Sequence, residues 1–371
     1  MDREQHILSL IRVNPFISQN ELANQIGISR SAVAGYIASL TKKGMIRGRA
    51  YIIADESSVM CIGGANLDNK AASKAPIRLA SSNPVTVTES CGGVARNIAE
   101  NLAGLGCRSA LITAVGDDKA GTWVLGETSH RGVDISQSIV IPGAHTGTYT
   151  ALLDASGEMF LAFANMDIYD AFGPELLNEK WPHIAASKLV IADTNLPQAS
   201  LDMLVKRCGA EGVLLFLDPV SSEKAKKLPH DLTGITAIFP NLEEAYELAG
   251  RASTGEEADP AVITELAEAI RRRGVQHVFI TLGKQGVLYQ DEHGSTFVPP
   301  LPTDVVEVTG AGDAFVAGVA YGILHDHSYL NSCKLGTAAA HLTLQTNESA
   351  SSRLTEEVLV QTMQNSFPSE V

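Results

Sequence analysis

One segment of the chain has residue types that could bind an anion and remove a proton. It reads Gly310-Ala311-Gly312-Asp313 and is followed by a helical run of small residues as far as Leu324. Glycines on both sides of an alanine leave backbone N–H groups uncovered where a helix begins, so amides and the helix dipole can hold negative charge. Because Asp313 would oppose a static phosphate, we interpret it as a general base for an attacking hydroxyl. On these residues alone, an ordinary glycine-rich helix start is an equal alternative.

Strand-like apolar segments alternate with helical periods from Val59 onward and must position this motif. The predicted strands cover residues 59–62, 109–115, 189–192, 212–217, 237–239 and 278–282. Such alternation predicts crossover units, a mainly parallel sheet and helices on both faces, which is an α/β fold. In such a sheet, ligands bind at the carboxyl ends of the strands.

Two segments interrupt the alternation and are predicted to be extended outside the main sheet. They are residues 77–88 and 139–164. In the second, residues 148–153 and 158–163 flank the turn 154–157, which is typical of a β-hairpin. We expect these segments to form a small β lid.

Two further glycine motifs precede the Gly-Ala-Gly-Asp segment. Residues 63–68 read GGANLD at the end of the first predicted strand, and residues 92–97 read GGVARN before a helix. Together with residues 310–313 they resemble the ribokinase-like (PfkB) family of sugar and nucleoside kinases, over about residues 58–365. The resemblance implies a mainly parallel sheet flanked by helices, ATP and Mg²⁺ as cofactors, and phosphoryl transfer to an alcohol.

The same resemblance assigns residues to the phosphoryl acceptor. Asn66 and Asp68 in the first motif, and Gly93 and Asn97 in the second, would hold sugar hydroxyls. A carboxylate can accept two hydrogen bonds, and an amide both donates and accepts, which suits this role.

Other matched positions lie on the nucleotide side. Asn241 and Glu244 are similar to the Asn-x-x-Glu element that organises Mg²⁺, its waters and the phosphates. Without the resemblance, a helix cap with acids in the first turn would be the favoured interpretation. The remaining nucleotide-binding residues that the resemblance implies are Thr281, Gly283, Gly286, Thr309 and Asn347.

Less general segments are similar to the pseudouridine kinases of this family. They are residues 82–84, 92–97, 148–149, 152–154, 156–159, 193–195, 218–221 and 308–313. Because a lid covers the acceptor, similarity within it bears on the substrate. The resemblance thus implies transfer to the 5′-hydroxyl of pseudouridine, with Tyr149 and Asp193 among the substrate-binding residues. Two alternatives stay open: a kinase for inosine, guanosine, cytidine, adenosine or a free sugar, and a ligand-sensing regulator on a kinase fold.

One position departs from the wider family. Many members have Asp-Thr ahead of the Gly-Ala-Gly-Asp segment, where the Asp helps to bind a monovalent cation, and this chain has Glu307-Val308. A longer carboxylate either reaches the ion or displaces it, so K⁺ is a candidate cofactor at Glu307 whose need is open.

The first 54 residues are basic although the chain is acidic. They hold seven Lys and Arg against three Asp and Glu, a formal charge of +4, whereas the whole chain carries −14. A basic patch attracts polyanions and an acidic body repels them, which favours two parts with different partners.

The pattern of the basic segment predicts a winged helix-turn-helix over residues 1–54. A helix over 4–12 precedes a second helix capped by Ser18 with Glu21, a third opens at Ser29, and residues 45–53 are predicted to form two short strands. The segment resembles DNA-binding domains of small bacterial regulators. A three-helix module for protein interaction is the alternative. The DNA-contacting residues that the resemblance implies are Arg30, Ser31 and Tyr36 in the major groove, and Lys42, Lys43, Arg47 and Arg49 on phosphates or the minor groove.

Composition limits the classes of protein. The chain is 371 residues long with 45% hydrophobic and 19% charged residues, which is typical of a globular protein. It contains neither an apolar run of spanning length nor an export-signal pattern, so we expect a cytoplasmic protein without a membrane partner. Its five cysteines are widely spaced and are expected to be reduced. A homodimer is also expected, because two recognition helices could then read a two-fold DNA site.

Overall fold

The computed structural model describes residues 3–14, 17–46, 55–253 and 259–367. Its helices are α1 (Arg3–Val13), α2 (Gln19–Ile26), α3 (Arg30–Lys42), α4 (Val94–Gly104), α5 (Lys119–His130), α6 (Pro174–Ala186), α7 (Gln198–Glu211), α8 (Ser222–Ala225), α9 (Leu242–Leu248), α10 (Pro260–Arg272), α11 (Ala311–Leu324), α12 (Tyr329–Leu344) and α13 (Glu356–Ser366). Its strands are β1 (Asp55–Ile62), β2 (Asn66–Ser73), β3 (Val85–Gly92), β4 (Arg108–Ile112), β5 (Ala114–Gly116), β6 (Ile139–Ile141), β7 (Thr148–Leu153), β8 (Met159–Asn165), β9 (Ser187–Asp193), β10 (Leu214–Asp218), β11 (Ala237–Ile238), β12 (His277–Thr281), β13 (Val287–Asp291) and β14 (Gly294–Val298).

The N-terminal segment folds as three helices around a small apolar core. Ser18 and Glu21 form the predicted capping box at the start of α2, and Gly27 ends that helix with a φ of 72°. Ser29 caps α3 as expected, by accepting a hydrogen bond from the backbone N–H of Ala32. The predicted wing begins at residue 45, and its residues from 47 to 53 lie outside the described residues, as do Arg47 and Arg49.

The kinase-like body is organised by an eight-stranded sheet in the order β14-β13-β12-β11-β10-β9-β1-β4. The six strands from β4 to β12 in this order are parallel, and β13 and β14 form an antiparallel edge. Every predicted strand of the sheet is present, and the predicted run 109–115 is divided between β4 and β5. The expectation of a mainly parallel α/β sheet is confirmed.

Both faces of the sheet are buried under helices. Met60 and Ile62 of β1 pack into an apolar cluster with α6, α7 and α10, whereas Val59 and Cys61 pack into a second cluster with α4 and α11. Alternate residues of one strand therefore supply two cores, which explains why the parallel strands are almost continuously apolar. Four of the five cysteines are buried and all five are thiols, as expected.

A second sheet of four strands, which we call the lid, has the order β3-β2-β7-β8. The predicted hairpin of β7 and β8 is confirmed, with Asp154 accepting hydrogen bonds from the backbone of Ser156 and Glu158 at its turn. The prediction missed β2, because its polar run Asp68-Asn69-Lys70 lacks the apolar alternation of a strand.

Two parts of the predicted lid are wrong. Residues 77–84 form a loop rather than a strand, closed by the Asn83 side chain, which bonds both backbone groups of Arg78. Local side-chain hydrogen bonds of this kind compete with strand pairing. Residues 139–141 form β6, which pairs in parallel with β5 and is separate from the lid.

Within the described residues, no helix is both long and apolar enough to cross a membrane.

Candidate active site

The carboxyl ends of β1 and β9 meet at a buried carboxylate, Asp193. Its Oδ2 accepts hydrogen bonds from the backbone N–H groups of Gly64 (2.8 Å) and Ala95 (3.0 Å), and its Oδ1 accepts one from Asn195 (2.9 Å). The side chain is 1% exposed, and burial raises its pKa. Asp193, which the family resemblance assigns to substrate binding, therefore connects the first glycine motif to the start of α4 through backbone hydrogen bonds.

The glycine pairs lie where other groups approach their backbone closely. A Cβ atom on Gly63 would overlap the Asp193 carboxylate, and one on Gly92 would overlap that of Asp68. Gly93 has a φ of 105°, and a Cβ there would overlap the carbonyl oxygen of Gly64. At Gly93, where β1, β3 and α4 converge, both the backbone angle and the space favour glycine.

The first acceptor-binding candidates lie on β2. Asn66 Nδ2 donates a 2.6 Å hydrogen bond to Asp68 Oδ1. Burial raises the pKa of Asp68 to about 6, against the lowering effect of the Asn66 hydrogen bond. This pair presents one carboxylate and one amide at the base of the lid, as a group that binds hydroxyls requires.

The lid places Tyr149 on the same face as Asp68, because these two residues are register partners on β2 and β7. Phe163 instead pairs with Thr150, so it lies on the opposite face and is 61% exposed. Of these two aromatic side chains, Tyr149 is the one that shares a face with the acceptor-binding candidates.

Asp313 lies in the first turn of α11 and is held by an amide from a distant motif. Asn97 Nδ2 donates a 2.7 Å hydrogen bond to Asp313 Oδ2. Burial raises the pKa of Asp313 to about 7, and the negative charges of Asp193 and Asp68 act in the same direction, whereas the Asn97 hydrogen bond opposes it. A carboxylate with a pKa near neutrality is suited to accept a proton from a hydroxyl.

The segment predicted to bind an anion lies at the start of the same helix. Gly310 has a φ of 83°, and a Cβ there would overlap the backbone of Ser349. A Cβ on Gly312 meets no atom within 4 Å, so this turn faces open space. The first amides of an α-helix have no partner within the helix and can point at an anion.

A cavity of about 650 Å³ opens beside this turn. Its lining includes Ala311 and Gly312 together with Thr281, Gly283 and Gly286, so three predicted nucleotide-binding residues converge with the anion hole. Thr309 and Asn347 are not among its lining residues. The far walls are apolar and comprise Pro300, Leu301, Val305 and Leu344.

Sequence reasoning missed His341 in this cavity. Its Nδ1 lies 2.6 Å from Thr303 Oγ1, and its Nε2 lies 2.8 Å from Gln345 Nε2. A lone histidine within the small-residue helix α12 gives no signal of its own, and only the fold brings it to the cavity.

Asn241 and Glu244 form a reciprocal helix cap. Asn241 Oδ1 accepts from the N–H of Glu244 (2.9 Å), and the Glu244 oxygens accept from the backbone and side-chain nitrogens of Asn241. The helix cap, which the sequence favours when the family resemblance is set aside, is therefore present in the structure. A cap and a role near phosphates are compatible, because each carboxylate oxygen can accept a further hydrogen bond.

The surroundings of Glu244 fit Mg²⁺ held through water. Burial raises the pKa of Asp218 well above its usual value, and the charges of Glu244 and Asp313 raise it further. Asp218 at the end of β10, Glu244 in α9 and Asp313 in α11 are near enough for their charges to interact, and such a group of acids favours a cation. In the described part of the chain, no three His, Cys, Asp or Glu side chains converge as a direct metal-binding set. Mg²⁺ readily keeps several of its waters.

Glu307 does not fit K⁺ in this structure. Its Oε2 pairs with Lys70 Nζ at 2.6 Å, and its Oε1 accepts from Thr309 Oγ1 at 2.9 Å and from two backbone amides. Although partial burial opposes the change, the Lys70 and Thr309 hydrogen bonds lower the pKa of Glu307 to about 2. Both oxygens are engaged by donors of the chain itself.

Comparison with known proteins agrees with this geometry. Residues 56–356 match the model of the pfkB family carbohydrate kinases. The chain belongs to the PfkB family. It is 34% identical over 340 residues to an uncharacterized sugar kinase, YeiI, of Escherichia coli, covering 91% of this chain and 92% of that protein. It is 36% identical over 267 residues to the Escherichia coli pseudouridine kinase, covering 72% of this chain and 83% of that one.

A solved structure confirms the ribokinase-like fold of this PfkB chain. The Arabidopsis thaliana ribokinase complexed with ribose and ATP superposes with a TM-score of 0.71, covering 83% of this chain and 98% of that one. At 21% identity, this likeness concerns the fold alone.

The N-terminal segment has a match of its own. Residues 2–47 match the model of winged helix-turn-helix DNA-binding domains, as the sequence predicts. At the exposed start of α3 lie Arg30 and Ser31, and Lys42 is exposed at its end. Lys43 instead pairs with Glu4 at 2.7 Å, and Tyr36 packs against the core of the three helices. Arg30, Ser31 and Lys42 are therefore the most available of the predicted DNA contacts that the structure describes.

Proposed function

We propose that this chain transfers the γ-phosphoryl group of ATP to the 5′-hydroxyl of a nucleoside, and that the nucleoside is pseudouridine. The observation that carries the proposal is the convergence at the start of α11. There Asp313, held by Asn97, lies next to amides that can hold an anion and beside a nucleotide-sized cavity.

The proton of the acceptor hydroxyl would go to Asp313. Its raised pKa makes the carboxylate a stronger base than a free aspartate, while a large part of it is still ionised near pH 7. As the hydroxyl oxygen bonds to the γ-phosphorus, the bond from that phosphorus to the β–γ bridging oxygen breaks and ADP leaves, and charge develops on the moving phosphoryl group. The amides of Ala311, Gly312 and Asp313 would stabilise that charge.

The nucleotide would occupy the 650 Å³ cavity, with its phosphates toward Gly312 and its base among the apolar walls. Asn241 and Glu244 would hold Mg²⁺ through its waters. The ion would supply positive charge to the phosphates. Thr281, Gly283 and Gly286 would line the path between base and phosphates.

The acceptor would lie under the lid. Asp68 and Asn66 would hold ribose hydroxyls, and Tyr149 would face the base from the same side of the lid sheet. Two observations favour pseudouridine over other acceptors: the 36% identity to a pseudouridine kinase, and the lid segments noted in the sequence.

The test is ATP-dependent phosphorylation of pseudouridine, uridine, inosine, guanosine, cytidine, adenosine and ribose, with Asp313→Asn as the blank. Preference for pseudouridine supports the proposal. Preference for another acceptor keeps the mechanism and rejects the substrate. Absence of turnover on all of them rejects the enzyme and favours a ligand-sensing regulator.

We also propose that the N-terminal domain binds DNA and that the chain acts as a homodimer. The family match of residues 2–47 supports the first part. The lid supports the second, because its face opposite Asp68 exposes Val87, Leu161 and Phe163, which are 54%, 45% and 61% exposed. A contiguous apolar face of this kind is typical of an interface, and a second lid would cover it.

Selection of random-sequence duplex DNA on the full chain tests this role. An enriched two-fold sequence is expected, whose binding weakens with salt and is lost in Arg30→Ala but not in the body variant Lys119→Ala. A pool without enrichment would reject DNA recognition.

A further inference from the structure

An ion pair connects the lid to the turn that precedes the anion hole. Lys70 Nζ lies 2.6 Å from Glu307 Oε2, and the two residues are 237 positions apart in the chain. Lys70 lies in the middle of β2, paired with Thr88 of β3 and Ala151 of β7. The pair therefore spans from the lid sheet to the body of the kinase domain.

Glu307, which is paired with Lys70, also accepts hydrogen bonds from the turn that follows it. Its Oε1 accepts from Thr309 Oγ1 (2.9 Å) and from the backbone N–H groups of Val308 (3.0 Å) and Thr309 (3.3 Å). These two residues come directly before Gly310, whose left-handed backbone opens the anion hole. One carboxylate thus fixes the turn on one side and is held by Lys70 on the other.

The lid strand links this contact to the acceptor. Residues two apart on a strand point to the same face, so Asp68 and Lys70 share one face of β2. Asp68 is the proposed hydroxyl ligand, and Lys70 reaches the turn that leads to Gly310. Placement of the acceptor and placement of the phosphoryl-binding amides therefore depend on the same strand.

The charge of Lys70 also matters to an incoming phosphate. An unpaired carboxylate at Glu307 would put a negative charge near the mouth of an anion site. The Lys70 ammonium neutralises that charge at 2.6 Å. Lys70 thus pairs with the carboxylate that, by the family resemblance, is a candidate ligand for a monovalent cation.

We propose that Lys70 is a positioning residue of the phosphoryl-transfer site. Its ammonium holds Glu307, and through Glu307 it holds the turn of residues 308–310, in place of a bound K⁺. This inference rests on the proposed kinase function. Because the pair is partly exposed, with side chains 38% and 27% exposed, it contributes little to folding, and its main effect falls on catalysis.

The test compares Lys70→Met with Lys74→Met, which removes an exposed lysine just beyond the end of the same strand. In Lys70→Met, kcat is expected to fall about 10²-fold, since small displacements of reacting groups have effects of that size. The acceptor KM changes less, and the thermal midpoint stays near that of the parent protein. Lys70→Arg, which retains a cation, recovers most of the rate.

Chemical rescue separates positioning from a merely structural role. Added methylammonium or K⁺ is expected to restore part of the rate of Lys70→Met, and to leave the parent and Lys74→Met unchanged. Lys70→Met and Glu307→Gln are expected to be non-additive, because both remove the same contact. Parent-like kcat in Lys70→Met, absence of rescue, or stimulation of the parent by K⁺ would each overturn the proposal.

Calorimetric binding of a non-hydrolysable ATP analogue and of ADP, without acceptor, keeps this inference separate from the proposed substrate. Lys70→Met should weaken binding of the analogue much more than that of ADP, because the anion hole faces the terminal phosphate. If no acceptor is turned over but this difference is found, the kinase proposal fails, and what stands is that Lys70 shapes the binding site for the terminal phosphate. If the variant binds the ATP analogue as tightly as the parent does, and likewise ADP, the role of Lys70 is overturned.

Discussion

Replacement of Asp313 by Asn should remove activity and at the same time stabilise the kinase domain. The carboxyl group is 9% exposed, and its pKa rises from 3.8 to about 7. Each pH unit of such a rise corresponds to about 1.4 kcal/mol, so the ionised carboxylate costs the folded state up to about 4 kcal/mol. Asparagine carries no charge and can still accept the hydrogen bond from Asn97.

The sign of the effect follows from linkage. Below pH 3.8 the group is protonated in both the folded and the unfolded chain, and its ionisation costs no stability. Between pH 3.8 and about 7 the unfolded chain loses this proton while the folded chain keeps it, so the stability of the parent protein falls across this range and is constant above it. The advantage of Asp313→Asn should therefore grow from about pH 4 to about pH 7 and then stay constant.

Urea unfolding followed by tryptophan fluorescence measures this difference. Both tryptophans, Trp123 and Trp181, lie in the kinase domain, so the signal reports that domain rather than the N-terminal helices. Asp304→Asn, at an exposed carboxylate, is the matched control and should show no such gain. Equal stability of Asp313→Asn and the parent at pH 8, or a gain independent of pH, would refute the assignment of a buried, destabilised carboxylate. Activity should fall roughly 10²- to 10⁴-fold in the same variant.

Three further predictions concern the same site. The acid limb of the pH profile of kcat/KM should have its midpoint near pH 7, the pKa of Asp313. Asn97→Ala should raise that midpoint by about one to two pH units, because a hydrogen bond to a charged group contributes roughly 1.5–3 kcal/mol. A midpoint that does not move would contradict this. Deletion of the hairpin tip, residues 154–157, should raise either the acceptor KM or the ratio of ATP hydrolysed to phosphorylated acceptor formed, since the lid excludes water. If both values are unchanged, the lid does not close the site. Gly310→Ala should lower the free energy of unfolding by about 2 kcal/mol, because φ is 83° at this position and the added Cβ would overlap neighbouring backbone. Gly126→Ala, in an open helical position, should not destabilise the protein. Equal urea midpoints for the two variants would contradict the strained turn.

Local patterns in the sequence determined much of the architecture. The capping box at Ser18 and Glu21 and the buried strands of the main sheet depend on neighbouring residues and on apolar periodicity, and all are present as predicted. The glycine motifs carried the family resemblance, and the structure then placed neighbouring groups close to their backbone. The strand β2 escaped prediction because it is stabilised by its partners β3 and β7 rather than by its own polar sequence.

Only the tertiary structure decided which side chains act together. Asn97 and Asp313 are 216 residues apart, Gly64 and Asp193 are 129 apart, and Lys70 and Glu307 are 237 apart. The family resemblance assigned Asp193 to substrate binding and left K⁺ at Glu307 open; the structure adds that Asp193 accepts hydrogen bonds from backbone amides and that Glu307 pairs with a lysine. Residue type and spacing determine what a side chain can do; its partners, and therefore its charge state and role, depend on the fold that brings distant segments together.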